Sequence, residues 1–572
     1  MRTVIPREQL MQSIGVTLRD NGAYPLDTPI LTCAVTGNTL NFGDFLHEIA
    51  NLANGIDAIL QDQRIFPGNG AEGVSLAYCD PGQLISYHLL SWASYFMQVP
   101  FAPLNLEVLA SKTNDAFSKC GIGIIAIRDV FLSQPGVVDV IGNINDSAAQ
   151  VVIVTSDFEQ HDPNDITADF QRVFPGKHIY TMDEVRQTGA SATTQYVPRN
   201  HGTAIIVGTS ATMTGESKFP QNTHLALNCI ANGYFGNPAL LPQTPGEPIC
   251  STLPPTWLTG AVNCGLIQPI SGYHTIAESR YDIETVIDTI IRYKCTRWFA
   301  AQSQILNIIK RPDLVKRLIQ ESDLALIYNG GEPMYMSRVA LYSNALSDAE
   351  TQRQIGLFTA YGMTEIASIV GVPVFDAPPD PAYPNLLWYS PMSHIVVRAT
   401  DPLTGQEMPL GSVGMMQIEK NPCSFTDYAG DPELTKNAWS DDGRWFNTGD
   451  ATIIRQLKDA DGNEHTLFAA CGRYDFSFTD PNGNKHWSFE AESVIQSCPN
   501  VLDVVVVTDR DNPHGAAAHV VISGGSDTES VKAAVSAALA GLSYKVRTEF
   551  YDDLLPVKNR AKRDIRFLQQ QC

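Results

Sequence analysis

Four short stretches gather side chains that could act on a phosphorylated ligand. In Thr209-Ser-Ala-Thr-Met-Thr-Gly-Glu-Ser-Lys218, five hydroxyls, one glycine and an ammonium occupy ten residues after the apolar run Ala204–Val207. Hydroxyls, backbone N–H groups and an ammonium are the donors that polyphosphate oxygens require, and a loop between a strand and a helix can aim them together. The GK[ST] order of a Walker loop is absent. Tyr361-Gly-Met-Thr-Glu365 offers a ring for a base, a glycine for close backbone approach, a hydroxyl for a phosphate and a carboxylate for a hard cation. In Trp445-Phe-Asn-Thr-Gly-Asp450, followed by Gly472-Arg-Tyr-Asp475, an aspartate beyond a tight turn could take both hydroxyls of a ribose. Leu555–Arg563 brings Lys562, a cation able to neutralise charge that develops between a carboxylate and a phosphate. Taken singly, each stretch has a plainer reading: a solvated Ser/Thr loop, a tyrosine packed at a strand end, a turn aspartate with a surface ion pair, and a solvated basic tail.

These stretches need elements to position them. Val74–Tyr78, Val151–Thr155, Ala204–Val207, Leu324–Tyr328 and Ile355–Ala360 read as strands buried on both faces, and Leu84–Met97 as a mostly buried helix. Such strands separated by helical patterns predict an α/β class, with mainly parallel sheets in several layers. The last hundred or so residues differ. Val504–Val507 and His519–Ser523 read as strands and Glu529–Leu539 as a helix. Lys545, Arg547, Lys558, Arg560, Lys562, Arg563 and Arg566 then stand out against an acidic remainder. Turn signals at Asp459–Glu464 and Asp480–Asn484 flank a junction near Arg473–Asp475. The reading is a large α/β domain over residues 1–474 and a small, mobile α+β C-terminal domain over 475–572.

Composition narrows the function classes. Hydrophobic residues make up 44% and charged residues 17% of the 572, enough to bury a large core. A net charge of −22 repels phosphate backbones and anionic lipid, so neither nucleic acid nor membrane is expected as a partner. The opening MRTVIPREQLMQSIG lacks an apolar secretory core, and the 11 cysteines form no CxxC pair; a cytoplasmic protein is the expectation. No HExxH or GxSxG occurs, which argues against a metal hydrolase or a serine hydrolase.

The order of the motifs adds what none carries alone. A hydroxyl-rich loop with lysine, then GGEP, YGxTE, TGD, GRxD and a lysine after LP resembles the adenylate-forming superfamily. That superfamily includes acyl-CoA and aryl-CoA synthetases, adenylation domains of nonribosomal peptide synthetases and beetle luciferases. Thr39–Ala53, Val99–Asn105 and Gly430–Trp439 are similar to further family stretches, so the resemblance covers nearly the whole chain. It implies that Thr209, Ser210, Thr212, Thr214, Gly215 and Lys218 hold the β- and γ-phosphates of ATP. Gly330, Gly331, Glu332 and Pro333 would flank the adenine and one wall of the acid pocket. Tyr361 would stack on adenine, Thr364 would meet the α-phosphate and Glu365 would ligate Mg²⁺. Asp450 would bind the ribose with Arg473 beside it, Asp475 would be the hinge and Lys562 the lysine of adenylate formation. Trp257 falls where amino-acid-activating members keep an aspartate, which disfavours an α-amino acid; with Trp298 and Phe299 it suggests an apolar pocket or simply core packing.

The resemblance therefore implies activation of a carboxylic acid as acyl-AMP with pyrophosphate release, then transfer to a thiol. CoA is the leading acceptor; a phosphopantetheine carrier protein, or an amine, is the alternative. Ala211, Met213, Ser217 and Phe219 depart from the family loop, and Ala561 replaces the glycine before Lys562. Phe476-Ser477-Phe478 departs after Asp475, on a segment that lines the family's thiol tunnel, and so bears on the second half-reaction. A degenerate nucleotide-binding homologue and a luciferase-like oxygenase are the other readings. The joint presence of Lys218, Glu365, Asp450 and Lys562 weighs against the first of these.

Overall fold

The computed structural model describes residues 24–63, 74–79, 84–111, 115–134, 136–156, 163–191, 202–209, 217–235, 244–458, 462–509, 512, 514–558 and 562–571. By compactness the chain forms two units. The first takes Met1–Phe299, Met363–Ser368 and Pro422–Lys436; the second takes Ala300–Gly362, Ile369–Asn421 and Asn437–Cys572.

In the first unit a seven-stranded sheet runs His178–Thr181, Val151–Thr155, Ile122–Arg128, Ser75–Cys79, Phe101–Pro103, Thr203–Ile206, Gln221–Thr223. The first six strands pair in parallel and the last antiparallel. Helical crossovers cover both faces of a parallel sheet, and Ser75–Cys79 and Val151–Thr155 are accordingly buried at every residue. The helix Ile85–Met97 buries ten consecutive residues, Ser86 to Tyr95, so it is an interior rather than an amphipathic helix. A second run of strands orders Thr39–Asn41, Pro29–Cys33, His274–Ala277, Pro248–Ser251 and Arg297–Phe299, parallel except for the first pair. Trp298 is buried there and gives its indole N–H to Thr252 Oγ1 at 2.9 Å. Trp298 thus belongs to the core.

The second unit pairs Leu326–Gly330 in parallel with Gly356–Met363, Gly330 opposite Ala360. The first strand therefore lies two residues later than its hydrophobic pattern suggested, and the second runs on through Tyr361. An antiparallel block follows, built from Trp388–Pro391, Glu464–Arg473, Trp445–Lys458, Val413–Glu419 and Val397–Thr400. Its longest member has 14 residues. The C-terminal part has a three-stranded sheet, Val501–Thr508, Ala516–Ile522 and Val546–Tyr551, packed with the helices Ser488–Gln496 and Thr528–Leu539 on one core. The hairpin Val557–Lys558 with Lys562–Arg563 and the helix Ile565–Gln571 close the chain. No helix among the described residues is long and apolar enough to cross a membrane.

Candidate active site

The hydroxyl-rich loop leaves the strand Thr203–Ile206 and returns along Gln221–Thr223, antiparallel to it. At its neck Thr209 N–H donates to the Lys218 carbonyl (2.8 Å) and Lys218 N–H to the Thr209 carbonyl (3.3 Å). It is therefore a hairpin, and not the strand-to-helix loop that the sequence suggested. The helix starts only at His224, so its N-terminal N–H groups are not the loop's own. Ser210, Thr212, Thr214 and Gly215 lie outside the described residues.

Residues 425–429 dock against this hairpin. Gln221 N–H donates to the Asp427 carbonyl (2.9 Å), Ala429 N–H to the Phe219 carbonyl (2.9 Å), and the Gln221 amide to Asp427 Oδ1 (2.5 Å). Thr364 and Glu365 form the short turn Thr364–Ile366 in the same unit. The Thr364 carbonyl accepts from the buried Asn222 amide at 3.1 Å, and the Glu365 carbonyl accepts from Phe425 N–H at 2.7 Å. Tyr428 O–H donates to Glu365 Oε1 at 2.9 Å, and the Lys218 ammonium lies 5.5 Å from the Tyr428 ring centroid. Hairpin lysine, acidic turn and tyrosine thus form one cluster. Gln221, Asn222 and Tyr428 escaped the sequence reading; the only signal was polar residues inside a short strand.

Glu365 is a single carboxylate, and among the described residues no group of three or more His, Cys, Asp or Glu could hold a metal. One carboxylate suits a cation completed by substrate phosphates and water, which is how Mg²⁺ is usually bound. Trp257 opens the π-helix Thr259–Ile267, its carbonyl accepting from Ala261 N–H at 2.8 Å.

In the second unit Tyr361 O–H donates to Asp450 Oδ2 at 2.5 Å, and Arg473 Nη1 donates to Asp450 Oδ1 at 3.0 Å and to the Thr448 carbonyl at 3.1 Å. Asp450 stands opposite Arg473 across the antiparallel pair, at a register shift. It therefore sits at a bulge inside a long strand, where the sequence suggested a tight turn. Gly449 makes the bulge possible: its φ is +72°, and a Cβ there would run into the Arg473 guanidinium. Gly330 ends its strand one residue before Gly331, whose φ is +87°. A Cβ on Gly331 would lie 3.4 Å from Lys562 Cε and 3.7 Å from Nζ, so the lysine stem passes over this turn. Lys562 and Tyr361 both stand at the C-terminal side of the Gly330–Ala360 register pair, the side on which open parallel sheets bind ligands. Glu332 is engaged by Arg563, whose main-chain N–H reaches Oε1 at 2.9 Å. Asp475 follows directly on Tyr474, whose N–H donates to the Gly449 carbonyl at 2.9 Å.

A family model described as AMP-binding enzyme matches residues 139–428, half of the chain. The mitochondrial medium-chain acyl-CoA ligase ACSF2 of Danio rerio is 26% identical over 277 residues, covering 47% of this chain and 41% of its own. The 4-coumarate–CoA ligase CCL1 of Humulus lupulus is 26% identical over 274 residues, covering 47% and 45%. The chain thus spans less than half the length of these curated relatives. Among solved structures, the anthranilate CoA ligase AuaEII in complex with anthranoyl-AMP superposes with a TM-score of 0.77 at 15% identity, over 99% of this chain and 98% of that one. ATP-bound MatB from Rhodopseudomonas palustris gives 0.69 at 20% identity, covering 98% of each. The amide bond synthetase McbA from Marinactinospora thermotolerans gives 0.70 at 19%, over 98% and 99%. At such identities the likeness is one of fold, a mixed α/β architecture with a large N-terminal and a smaller C-terminal domain. With the family model spanning half of its residues, the chain belongs to the family of AMP-binding enzymes.

Proposed function

We propose that this protein is an AMP-forming acid–thiol ligase: it joins a carboxylic acid to the AMP moiety of ATP, releases pyrophosphate and passes the acyl group to a thiol, with CoA as the leading acceptor. The observation that carries the reading is the position of Lys562 on the Gly331 turn, at the strand ends from which Tyr361 also emerges. A carboxylate resists nucleophiles because its leaving group would be oxide; joined to AMP it gains a good one. In the first step a carboxylate oxygen bonds to the α-phosphorus as the bond to pyrophosphate breaks. Lys562 and Thr364 supply positive charge and a hydrogen bond to the oxygens whose charge grows. Lys218 and the loop hydroxyls take the departing phosphates, and Asp450, with Tyr361 and Arg473, takes the ribose and adenine. Glu365 is the residue that would hold Mg²⁺, which shields the phosphate charge when bound. On this reading residues 475–572 form the small domain that delivers Lys562, and it turns about Asp475 before the thiol attacks.

Asp475→Pro tests that turn. It should leave ATP–pyrophosphate exchange within about threefold and slow acyl transfer at least tenfold, because proline restricts the backbone on which the domain pivots. Equal slowing of both half-reactions would remove support for the hinge. The activity itself is tested by pyrophosphate release and hydroxamate trapping across benzoate, 4-coumarate, propionate, octanoate and palmitate. AMP release is then followed with CoA, with a phosphopantetheinyl carrier protein and with an amine. No turnover with any acid would defeat the proposal. A carrier or amine acceptor is the second reading, motivated by Phe476 and Ser477, which depart from the family pattern directly after Asp475; Phe478 packs in a hydrophobic core with Ile495 and Val504 and does not bear on the acceptor. An amide bond synthetase shares the fold, so the fold alone does not choose the acceptor.

A further inference from the structure

Next to Lys562 lies a set of charges that joins Glu332 of the GGEP stretch and Arg563 to three residues outside the motifs, Arg338, Asp503 and Glu492. Arg563 Nη1 donates to Asp503 Oδ1 at 3.1 Å and to the Val504 carbonyl at 3.0 Å. Its Nε, at 3.1 Å, and its main-chain N–H, at 2.9 Å, both reach Glu332 Oε1. Asp503 is shared with Arg338, whose guanidinium also bonds Gln496 Oε1. None of this is surface: the side chains of Arg338 and Asp503 are 0% and 2% exposed, those of Arg563 and Glu332 9% each. Glu492 completes the set, accepting from Tyr335 O–H at 2.7 Å and from Val506 N–H at 2.9 Å. Burial by itself would lower the Arg563 pKa, but Asp503, Glu332 and Glu492 together hold it above its ordinary value, so the guanidinium stays charged.

The connectivity of the set is what matters. Glu332 and Arg338 belong to the turn and helix that follow the strand Leu326–Gly330; every other charged member lies between residues 492 and 563. A carboxylate that binds the N–H of residue 563 fixes the peptide unit immediately after Lys562. Gly331, the residue before that carboxylate, lies against the Lys562 stem.

We propose that Glu332 and Arg563 are positioning residues: the Glu332–Arg563–Asp503 cluster latches the Lys562–Arg563 strand onto the Gly331–Glu332 turn and sets Lys562 for the first half-reaction. The catalytic part rests on the function proposed above; the latch itself does not. Removing one member leaves a buried charge without its counter-charge, which disfavours the docked state relative to one in which both groups are hydrated. Loss of the latch therefore lowers the fraction of enzyme ready for adenylate formation and spares a step that needs the small domain to have moved.

Wild type, Glu332→Gln, Arg563→Met and Arg563→Lys separate these consequences. In ligand-free full-length protein, amide hydrogen exchange of a peptide covering residues 562–568 should quicken at least tenfold in Glu332→Gln and Arg563→Met. With the best acid of the panel, kcat for ATP–pyrophosphate exchange should fall at least tenfold in both variants, with KM for ATP within threefold in Arg563→Met. Single-turnover transfer from preformed acyl-adenylate to CoA should hold or rise, and Arg563→Lys should restore part of the exchange rate. Equal losses in both half-reactions, a change in Arg563→Met carried by KM, or unchanged amide protection would overturn the proposal. Should Arg563→Met fail to fold, Glu332→Gln, which keeps shape and an acceptor oxygen, decides alone. Should wild type activate no acid, the functional reading fails, and amide exchange still decides the latch.

Discussion

Lys218 leaves the neck of a hairpin whose main chain is bonded to Thr209, while its ammonium rests 5.5 Å from the Tyr428 ring centroid. Lys562 has the opposite arrangement: the peptide unit that follows it is clamped by Glu332, and Arg563 is locked into a buried ion cluster. A soft contact over a ring lets a cation follow a leaving group. On the function proposed above Lys562 serves the bond being made, and such a cation needs fixing to within about 0.5 Å. The comparison therefore predicts different kinetic signatures for the two lysines. Lys562→Ala should lower ATP–pyrophosphate exchange by about 10²–10³, the usual loss of one transition-state donor, with nucleotide binding nearly intact. Lys218→Ala should act mainly on KM for ATP, by about tenfold, as for one charged hydrogen bond. Steady-state exchange kinetics on both variants would break the contrast if the losses had the same form.

Acid acts on both units through buried groups. In the first, burial pushes the imidazoles of His88 and His224 down to about 4 from 6.5. The unfolded chain then binds more protons than the folded one between these values. Stability is complete above about pH 6.5 and is lost as pH falls towards 4, by up to about 3 kcal/mol per histidine. In the second unit the signs are mixed: burial raises the Glu492 pKa, which acid favours, and lowers those of His394 and His519, which acid opposes. Thermal melts from pH 7 to 4.5 should show Tm falling, and His224→Asn should flatten the slope. An unchanged slope would mean that His224 is not buried neutral.

Asp450 is the next test. It accepts from both Tyr361 and Arg473, so Asp450→Ala removes a charged acceptor from two donors at once. Hydrogen bonds to charged groups are worth about 1.5–3 kcal/mol, which corresponds to KM for ATP rising roughly 10- to 150-fold. Measured nucleotide affinity that stays within a factor of two would separate Asp450 from the ribose.

The parts of this architecture legible beforehand are those with local signals. Val151–Thr155 and Ser75–Cys79 announce themselves as apolar runs because parallel strands are buried on both faces. The hairpin strand Gln221–Thr223 does not, because its three buried residues are polar and satisfied by distant groups such as Asp427 and the Thr364 carbonyl. The antiparallel block went unread for a related reason: Trp445–Lys458 carries a bulge at Asp450 that breaks the two-residue alternation. Motif order pointed to Tyr361, Asp450 and Lys562 as candidates. It could not find the bond from Arg563 to Glu332, which joins residues 231 apart in sequence. Charge pairing over that distance leaves no periodicity.

Tyr428→Phe probes the softer end of the comparison. The substitution keeps the ring that faces Lys218 and deletes only the hydroxyl that donates to Glu365 Oε1 at 2.9 Å. If the ring is what holds the lysine, KM for ATP should change less than about threefold, since the deleted hydroxyl bonds the Glu365 carboxylate and leaves the contact between ring and lysine in place. The Mg²⁺ concentration giving half-maximal exchange should move instead, because the orientation of Glu365 depends on that hydroxyl. A large rise in KM for ATP at saturating Mg²⁺ would place the tyrosine hydroxyl on the nucleotide itself. Lys218 and Lys562 would then no longer differ in the way their settings suggest, since both would sit among groups held rigidly for the ligand.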